Sequence, residues 1–428
     1  MALQFKNQPV KNQPQVQYGI AGLNIPFAPR GLPYGIPTPT KVNRIINAEP
    51  PPIAMPGSNL KRAVNYYADY GGCGLWRMVW PELLLNSYQK AIISGLTTMV
   101  LDERFYVGID AVRLQRQATP MQLKFVEFLK QHQKNHGFKI IYEIDDIIFK
   151  DDIPDFNRCK EAFDNDEILQ SAKEMMAMSD EMSVTCEYMK NYYRQHTGNK
   201  KISVIPNYPP RFWFAGLYNR DELIKRYELN KDRPRIGYCG SGTHVDVINK
   251  TNQNDDFAHV VDFIIASRKK FKWVFMGCFP LRCKPFIDSG EMEYHDWKAM
   301  PDYPQGISDL KVNATFAPLQ ANAFNRAKSN IKYLEAANLG IPCICQDLET
   351  YAAAPSELRF TTGQDLIDKI INLFKDSNTY MKLSDHVYKY AQSMYLNDHL
   401  EEYVELYYTP YGSKDRKALL QNNPEQRI

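Results

Sequence analysis

Short apolar runs alternate with longer stretches of helical spacing along most of the chain. Apolar runs bounded by turn residues predict buried strands, and apolar positions that recur every three or four residues predict amphipathic helices. The alternation begins near residue 60 and starts a second time near residue 235. Each half therefore predicts an α/β domain built on a parallel, doubly wound sheet with helices on both faces.

The predicted elements follow this alternation to the end of the chain. In the first half the predicted strands are Arg62–Asp69, Thr98–Leu101, Ala111–Leu114, Lys139–Asp145, Glu181–Thr185 and Ile202–Pro206. In the second half they are Arg235–Cys239, Lys272–Met276, Ala314–Leu319 and Ile341–Cys345. The predicted helices are Leu75–Gln89, Met121–Gln133, Phe257–Ser267, a helix that Gly340 ends, and a helical tail from residue 364 that finishes with His399–Tyr407.

Two changes in composition divide the chain. Residues 1–58 are rich in proline, glutamine and asparagine, which predicts an extended arm rather than regular helix or sheet. The stretch Asn207-Tyr-Pro-Pro210 interrupts the alternation between the two halves. The predicted units are the arm at 1–58, Rossmann-like domains at 59–210 and 211–395, and a tail at 396–428. Two such domains face each other across a cleft, and ligands are expected between the carboxyl edges of their sheets.

Composition narrows the class of protein without identifying a partner. The 428 residues are 44% hydrophobic, which is enough for two separate cores. The formal net charge of +3 neither requires nor excludes a polyanionic partner. The eight cysteines form no CxxC pair, and the sequence contains neither a signal-type apolar core nor a long apolar run. We therefore expect free thiols, a cytoplasmic location and no stable association with a membrane.

The clearest chemical signal lies at residues 325–346, which read NRAKSNIKYLEAANLGIPCICQ. Apolar strands precede this helix and follow it, so the segment predicts a βαβ unit whose helix starts at the carboxyl edge of the sheet. Ser329 is a good N-cap and Lys328 adds a positive charge, which together suit a phosphate or diphosphate. Glu335 would lie about 9 Å along the helix axis at 1.5 Å per residue, where a carboxylate can accept hydrogen bonds from a ribose diol. The alternative is a capped surface helix with a solvated lysine and glutamate.

Two glycine-rich turns occupy equivalent places in the two halves. GGCG at 71–74 follows the first strand of the first half, and GSGTH at 240–244 follows the first strand of the second. Glycine permits close approach of the backbone to a ligand. The predicted ligand contacts in these turns are Gly72, Gly74, Gly242 and Thr243. His244 either donates to a phosphate or sugar hydroxyl or caps a helix.

Acids and histidines form two further candidate sites. Asp145 and Asp146 end an apolar strand, and an acid at the carboxyl end of a parallel strand suits a catalytic or sugar-binding role. The alternatives are a turn cap and a manganese site of the DxD type. His132 and His136 stand four apart on a predicted helix and can face a metal, but their polar surroundings favour a solvated helix end. We therefore predict no metal site.

These features resemble the GT-B glycosyltransferases, specifically the retaining family-four type. The resemblance is carried by the GGCG turn, by the acid at the end of a mid-domain strand, and by KSNIKYLEAANLGIPCI in the second half. It implies a GT-B fold in which the first domain binds the acceptor and the second a UDP-sugar donor, without a cofactor. By resemblance, Glu335 binds the donor ribose, Asp145 is a catalytic acid, and Lys328 neutralises the leaving diphosphate. The residues implied beside the diphosphate are Lys328, Ser329 and Asn330.

The chain departs from that family at Ala327, where the family has a glutamate eight residues before the one that matches Glu335. The usual contact of that glutamate with the transferred sugar is therefore missing or is made elsewhere. A binding module that holds a nucleotide sugar without turnover is consistent with this departure.

The acceptor is inferred from a second resemblance. The GGCG turn and the strand IIYEIDD are similar to segments of phage GT-B enzymes that glycosylate 5-hydroxymethylcytosine in DNA. This implies double-stranded DNA as a partner and either arabinose or glucose as the transferred sugar. Arg113 and Arg116 are the predicted contacts to DNA phosphate or base. The alternative enzyme acts on a cell-surface glycan or a lipid-linked acceptor.

Overall fold

The structure, a computed structural model, describes residues 60–246 and 254–408. The predicted arm at 1–58 lies outside the described residues, as does the end of the predicted tail from residue 409. Within the described ranges, none of the helices combines the length and the apolar character that are needed to cross a bilayer. All eight cysteines lie in these ranges, and none of them forms a disulfide.

The first half folds into a six-stranded sheet, called here the N-terminal sheet, in which neighbouring strands are parallel. Its strands are β1 (Lys61–Tyr66), β2 (Ala91–Leu96), β3 (Ala111–Gln115), β4 (Lys139–Glu143), β5 (Glu181–Val184) and β6 (Ile202–Val204). Their order is β2-β1-β3-β4-β5-β6. The winding direction reverses between β1 and β3, which makes this the topological switch point where a crevice opens at the carboxyl edge.

The second half folds into another six-stranded parallel sheet, the C-terminal sheet. Its strands are β7 (Arg235–Cys239), β8 (Lys272–Met276), β9 (Glu293–His295), β10 (Ala314–Ala317), β11 (Cys343–Gln346) and β12 (Arg359–Phe360). The order β12-β11-β10-β7-β8-β9 puts the switch point between β7 and β10. The predicted fold class, two doubly wound α/β domains, is confirmed.

Helices connect the strands and cover the sheets. In the first half they are α1 (Gly72–Gly74), a π-helical segment (Leu75–Val79), α2 (Trp80–Ser87), α3 (Pro120–His136), α4 (Cys159–Ala162), α5 (Asp166–Met178) and α6 (Glu187–Thr197). In the second half they are α7 (Arg220–Asn230), α8 (Val261–Ala266), α9 (Lys284–Asp288), α10 (Tyr303–Asp309), α11 (Ala323–Arg326), α12 (Ile331–Ala337), α13 (Gly363–Leu373), α14 (Ser377–Gln392) and α15 (Leu400–Leu406). Short 3₁₀ turns include Glu103–Tyr106, Arg211–Phe214 and Gly242–His244.

The strand predicted at 98–101 is wrong, because the edge strand beside β1 is β2, formed by residues 91–96. The Asn86 side chain fixes this strand through two hydrogen bonds of 2.9 Å with the backbone of Ile93. Gly95 is required within the strand, since a Cβ there would lie 1.9 Å from the Tyr67 hydroxyl. Ser94 and Gly95 interrupt the apolar run, so the hydrophobic pattern did not predict this strand.

Contacts at two places hold the two halves together. The rings of Trp76 and Trp80 pack against Trp213, which lies in the segment that joins the halves. At the other end, α15 returns to the first half, where the Tyr407 hydroxyl donates to Asn65 at 3.1 Å. The buried Lys139 ammonium also donates to the Leu406 carbonyl at 2.7 Å. The predicted tail therefore begins as a helix that braces the N-terminal domain.

Candidate active site

Loops that follow strands of the two sheets meet at the junction between the two halves. Across this junction the Lys328 ammonium lies 2.9 Å from the Asp146 carboxylate, and the Asn207 amide donates to the Ser329 hydroxyl at 2.9 Å. Lys328 and Ser329 follow β10, whereas Asp146 follows β4. The loops that carry the predicted site residues are therefore neighbours in space, as a cleft between two facing domains requires.

Lys328 is positioned by an aromatic ring and an acid. Its ammonium lies 4.1 Å from the centroid of the Phe324 ring. About a fifth of the Lys328 side chain is exposed. Burial lowers the pKa of Lys328, but the adjacent Asp146 carboxylate outweighs that effect and leaves the pKa above its ordinary value. Lys328 is thus a fixed positive charge in the cleft, and its present partner can be exchanged for a ligand anion.

The structure corrects the role predicted for Ser329. Helix α12 begins at Ile331 with Asn330 as its N-cap residue, and the Asn330 side chain makes no capping hydrogen bond. The Ser329 hydroxyl instead accepts from Asn207 in the segment between the domains. The helix has only seven residues, so the charged lysines, rather than the helix start, carry the case for an anion site.

Lys332 is a second lysine of the C-terminal edge that the sequence analysis missed, and burial lowers its pKa although the nearby Glu335 opposes this. Its ammonium lies 3.1 Å from Nε2 of His244, whose Nδ1 lies 2.7 Å from the buried Asp256 carboxylate. Burial, assisted by the Lys332 ammonium, lowers the pKa of His244 to about 4, so the ring is neutral at pH 7. The neutral ring donates to Asp256 and accepts from Lys332. His244 therefore orients a lysine, and its contact with a phosphate or sugar hydroxyl stays a prediction.

Glu335 lies in a small pocket at the switch point of the C-terminal sheet. The pocket lining also includes Lys332 and residues from β7, β10 and β11. Glu335 is only 5% exposed, and the Tyr303 hydroxyl donates to it at 3.4 Å. Burial raises the pKa of Glu335 to about 8, although the Lys332 ammonium opposes this rise. A ligand that donates hydrogen bonds to Glu335 would favour its ionised form.

The acids of the N-terminal edge are held by a single guanidinium. Arg116 donates to Asp69 at 2.8 Å and approaches Asp145 at 3.7 Å. Its φ of +46° is an uncommon conformation for a residue with a side chain, and it occurs directly after β3 at the switch point. Burial raises the pKa of Asp145 above its ordinary value, and the Arg116 guanidinium offsets only part of this rise. Arg116 therefore orients Asp145 and favours its ionised form.

The GGCG turn binds an acid of its own chain. The backbone N–H groups of Gly71 and Gly74 donate to Asp69 at 2.8 and 3.1 Å. Gly74 is required for packing, because a Cβ there would lie 1.9 Å from the Asp69 carbonyl oxygen, whereas Gly72 faces open space. Because the Gly74 N–H already donates to Asp69, it is not free to make the predicted contact with the UDP-sugar.

The second glycine turn faces the other domain. A Cβ on Gly242 would lie 3.0 Å from a terminal nitrogen of the exposed Arg158, and the hydroxyls of Thr243 and Ser241 are 2.8 Å apart. Arg158 is a cation of the cleft that the sequence analysis did not identify.

Arg113 cannot make the contact to DNA that was predicted for it. Its side chain is fully buried and forms an ion pair with the equally buried Glu143. Arg77 bonds the other oxygen of Glu143 at 2.6 Å and also donates to the Ile205 carbonyl at 2.6 Å. Arg113 therefore belongs to a buried ionic network of the N-terminal domain, in which removal of one partner would leave an uncompensated buried charge. The sequence signal that could have shown this is its position in the middle of an apolar strand.

A metal at Asp145 and Asp146 is disfavoured by their partners. Each carboxylate faces a cation, Arg116 for Asp145 and Lys328 for Asp146. A divalent ion between the two acids would meet these positive charges at close range. The arrangement instead supplies positive charge to the cleft from side chains.

Structural comparison places the chain among two-domain proteins of known structure. No family model matches the chain, and no curated protein matches it by sequence. HepE from Anabaena, solved with UDP and glucose, matches with a TM-score of 0.53 and 9% identity over 80% of this chain and 97% of its own. The same protein solved with UDP-glucose matches with a TM-score of 0.52 and 9% identity, over 80% of this chain and 98% of its own.

Sucrose-phosphate synthase from Thermosynechococcus elongatus also matches, with a TM-score of 0.49 and 13% identity over 70% of this chain and 73% of its own. Likeness at such low identity concerns the fold alone. The sheet orders and the match to HepE along almost its whole length show that the chain has the GT-B fold.

Proposed function

We propose that this protein is a glycosyltransferase that moves a sugar from a UDP-sugar to a hydroxyl acceptor, with retention at the anomeric carbon. The observation that carries the proposal is the donor side of the cleft, where Lys328 precedes the helix that carries Lys332, and Glu335 lies in the pocket beside Lys332. Two cations beside a buried carboxyl match the chemistry of a nucleoside diphosphate, which combines phosphate charge with a ribose diol.

In the proposed mechanism the donor replaces contacts that the cleft makes with itself. The diphosphate takes the Lys328 ammonium from Asp146, and Lys332, oriented by neutral His244, provides the second positive charge. Glu335 accepts hydrogen bonds from the ribose hydroxyls. Both lysines stabilise the charge that develops on the diphosphate as the bond to the sugar breaks. HepE, which shares the fold, was solved with UDP and with UDP-glucose.

The acceptor lies opposite the donor in this proposal. Asp145, held by Arg116, orients the acceptor hydroxyl or the transferred sugar on the N-terminal edge. The attacking oxygen must come within about 3–3.5 Å of the anomeric carbon, which the contact between the two edges allows. Since Ala327 stands where the family has a glutamate, the transferred sugar depends on other groups, and Asp145 is an acid of the facing edge that is paired with Arg116 rather than with Lys328.

For the acceptor we propose the hydroxymethyl oxygen of 5-hydroxymethylcytosine in duplex DNA, on the resemblance of GGCG and IIYEIDD to phage enzymes. The target nucleotide would have to be flipped out of the duplex to reach the cleft. With Arg113 buried, the exposed Arg158 is a better placed contact for a DNA phosphate. Either arabinose or glucose fits the proposal.

The test supplies UDP-glucose and UDP-arabinose with four acceptors, and mass spectrometry follows the addition of one sugar. The acceptors are hydroxymethylated duplex DNA, unmodified duplex DNA, an oligosaccharide and a lipid-linked acceptor. We expect transfer to hydroxymethylated DNA alone. Transfer only to the oligosaccharide or the lipid would overturn the DNA acceptor and keep the glycosyltransferase. Binding of UDP without transfer or donor hydrolysis would instead favour a non-catalytic binding module.

A further inference from the structure

A second cluster of reactive side chains lies away from the cleft. Glu103 comes from the 3₁₀ turn before β3, and His132 and His136 come from the last turns of α3. Because β4 begins at Lys139, directly after α3 ends, these last turns lie at the amino edge of the N-terminal sheet. The cleft lies at the carboxyl edge, so the cluster is separate from the candidate active site.

The three side chains converge on one point. Glu103 Oε2 lies 2.6 Å from Nδ1 of His132 and 3.4 Å from Nε2 of His136, and one ligand atom from each residue lies within 4.8 Å of the others. The His132 ring also packs against Phe128 with ring centroids 4.6 Å apart, which restricts its orientation. The His132 and His136 side chains are 19% and 10% exposed, so a small ion can enter while the rings stay in place.

We propose that Glu103, His132 and His136 form a binding site for a divalent transition-metal ion of the Zn²⁺ class. Two imidazoles and one carboxylate are a donor set that Zn²⁺ takes with water in its fourth position, and histidines four residues apart on a helix share one face. Tetrahedral Zn²⁺ needs ligand atoms about 3.3 Å apart, given metal–ligand distances of about 2.0–2.1 Å. The observed separations of 2.6 and 3.4 Å require only small side-chain movements.

The neighbouring charges are compatible with a bound cation. The Arg104 guanidinium, next to Glu103 in the chain, is bonded to Asp102 at 2.7 Å. The cluster was expected to be a solvated helix end because the residues around the histidines are polar. That expectation could not include Glu103, which enters the cluster from an earlier turn of the chain.

A metal at this place would act as a clip. It would join the 3₁₀ turn to the end of α3 and would favour the folded state by binding it alone. Bound metal should therefore raise the melting temperature without changing sugar transfer, since none of the three ligands reaches the cleft.

Titration of the full chain with ZnCl₂ by calorimetry tests this site, and titration with Co²⁺ identifies the ligands by absorption. We expect one equivalent to bind, with the visible bands of tetrahedral Co²⁺ and without a thiolate charge-transfer band. Glu103→Gln, His132→Ala and His136→Ala should each weaken binding on the order of a hundredfold, since even supporting residues of metal sites cost about 10–100-fold.

His295→Ala is the matched control, because His295 also approaches a glutamate, Glu293, at 3.8 Å, and within residues 60–246 and 254–408 it belongs to no group of three candidate metal ligands. Its metal affinity should equal that of the unmodified chain. Glu103→Gln, a conservative change at a half-exposed side chain, shows whether loss of binding reflects lost ligands rather than lost folding. Failure to bind one equivalent, a thiolate band, or equal binding by Glu103→Gln and the unmodified chain would overturn the proposal.

Discussion

The two edges of the cleft share one architecture and carry opposite charges. Each consists of loops at the switch point of a parallel sheet. The C-terminal edge presents cations beside one buried carboxyl, namely Lys328, Lys332 and Glu335. The N-terminal edge presents Asp69 and Asp145 beside the Arg116 guanidinium, and Asp146 beside Lys328 of the other edge. In the proposed function this difference places the anionic donor at the C-terminal edge and the acceptor hydroxyl at the N-terminal edge.

The difference also explains the contact between the edges. Without a ligand, Asp146 of the acidic edge neutralises Lys328 of the basic edge. The donor must compete with an acid of the same chain, whereas the acceptor meets acids that are already held by Arg116. Each of the following substitutions changes the charge of one edge.

The largest effect is expected at the acidic edge. Asp145→Asn removes the charge that orients the acceptor or the sugar but leaves the donor lysines in place. We expect turnover to fall at least about a hundredfold, the low end for a positioned acid or base, while KM for the donor changes little. Steady-state kinetics with varied donor separate the two quantities. Equal losses in KM and kcat would assign Asp145 to donor binding and erase the distinction between the edges.

Lys328→Ala should have the next largest effect, now on the donor. A charge-assisted hydrogen bond contributes about 1.5–3 kcal/mol, so donor affinity and turnover should both fall on the order of tenfold to a hundredfold. Lys328→Arg should restore part of each. Calorimetry with UDP-glucose measures the affinity. The control is Lys269→Ala, because the Lys269 side chain is 74% exposed and pairs with Glu291 rather than with a residue of the cleft. Unchanged affinity in Lys328→Ala would remove this lysine from the donor site.

Glu335→Gln should weaken UDP and UDP-glucose to the same extent, on the order of tenfold, because both contain the ribose that Glu335 is proposed to bind. The pH dependence follows from the pKa of about 8 in the empty site. If the ribose favours the ionised carboxylate, the complex holds fewer protons than the empty site below pH 8. Affinity for UDP-glucose should therefore rise as the pH increases towards 8 and level off above it. Calorimetry between pH 6.5 and 8.5 tests this, and a slope that persists in Glu335→Gln would belong to another group.

Much of this comparison could be predicted from local sequence. The KSNIKYLE segment gave Lys328 and Glu335 their places because both follow a strand in a βαβ unit, where topology dictates which edge a loop occupies. Lys332 was available from the same segment, four residues after Lys328. The sequence pattern also predicted every strand of the two sheets except β2, β9 and β12, since apolar runs report burial directly.

The missed features depend on contacts between distant segments. Arg113 was predicted to be an accessible cation, but it is buried together with Glu143 and Arg77. The edge strand β2 depends on a side chain of α2. The Ser329 hydroxyl accepts from Asn207, in the segment between the domains, and does not cap its own helix. Hydrophobic periodicity does not contain such partners, because they are brought together only when the two halves fold.

The smallest effect is expected at Asp146, and its sign makes it informative. The Lys328 and Asp146 side chains are 20% and 23% exposed, and partly exposed ion pairs contribute at most about 1 kcal/mol. Asp146→Asn should therefore strengthen donor binding, by up to about fivefold, because Lys328 no longer has a competing partner. The gain should shrink at high salt, which screens the pair. It should vanish in the Lys328→Ala background, as a double-mutant cycle with UDP-glucose would measure. Weaker donor binding in Asp146→Asn would mean that the acidic edge holds Lys328 ready for the donor, so that the two edges act as one donor site.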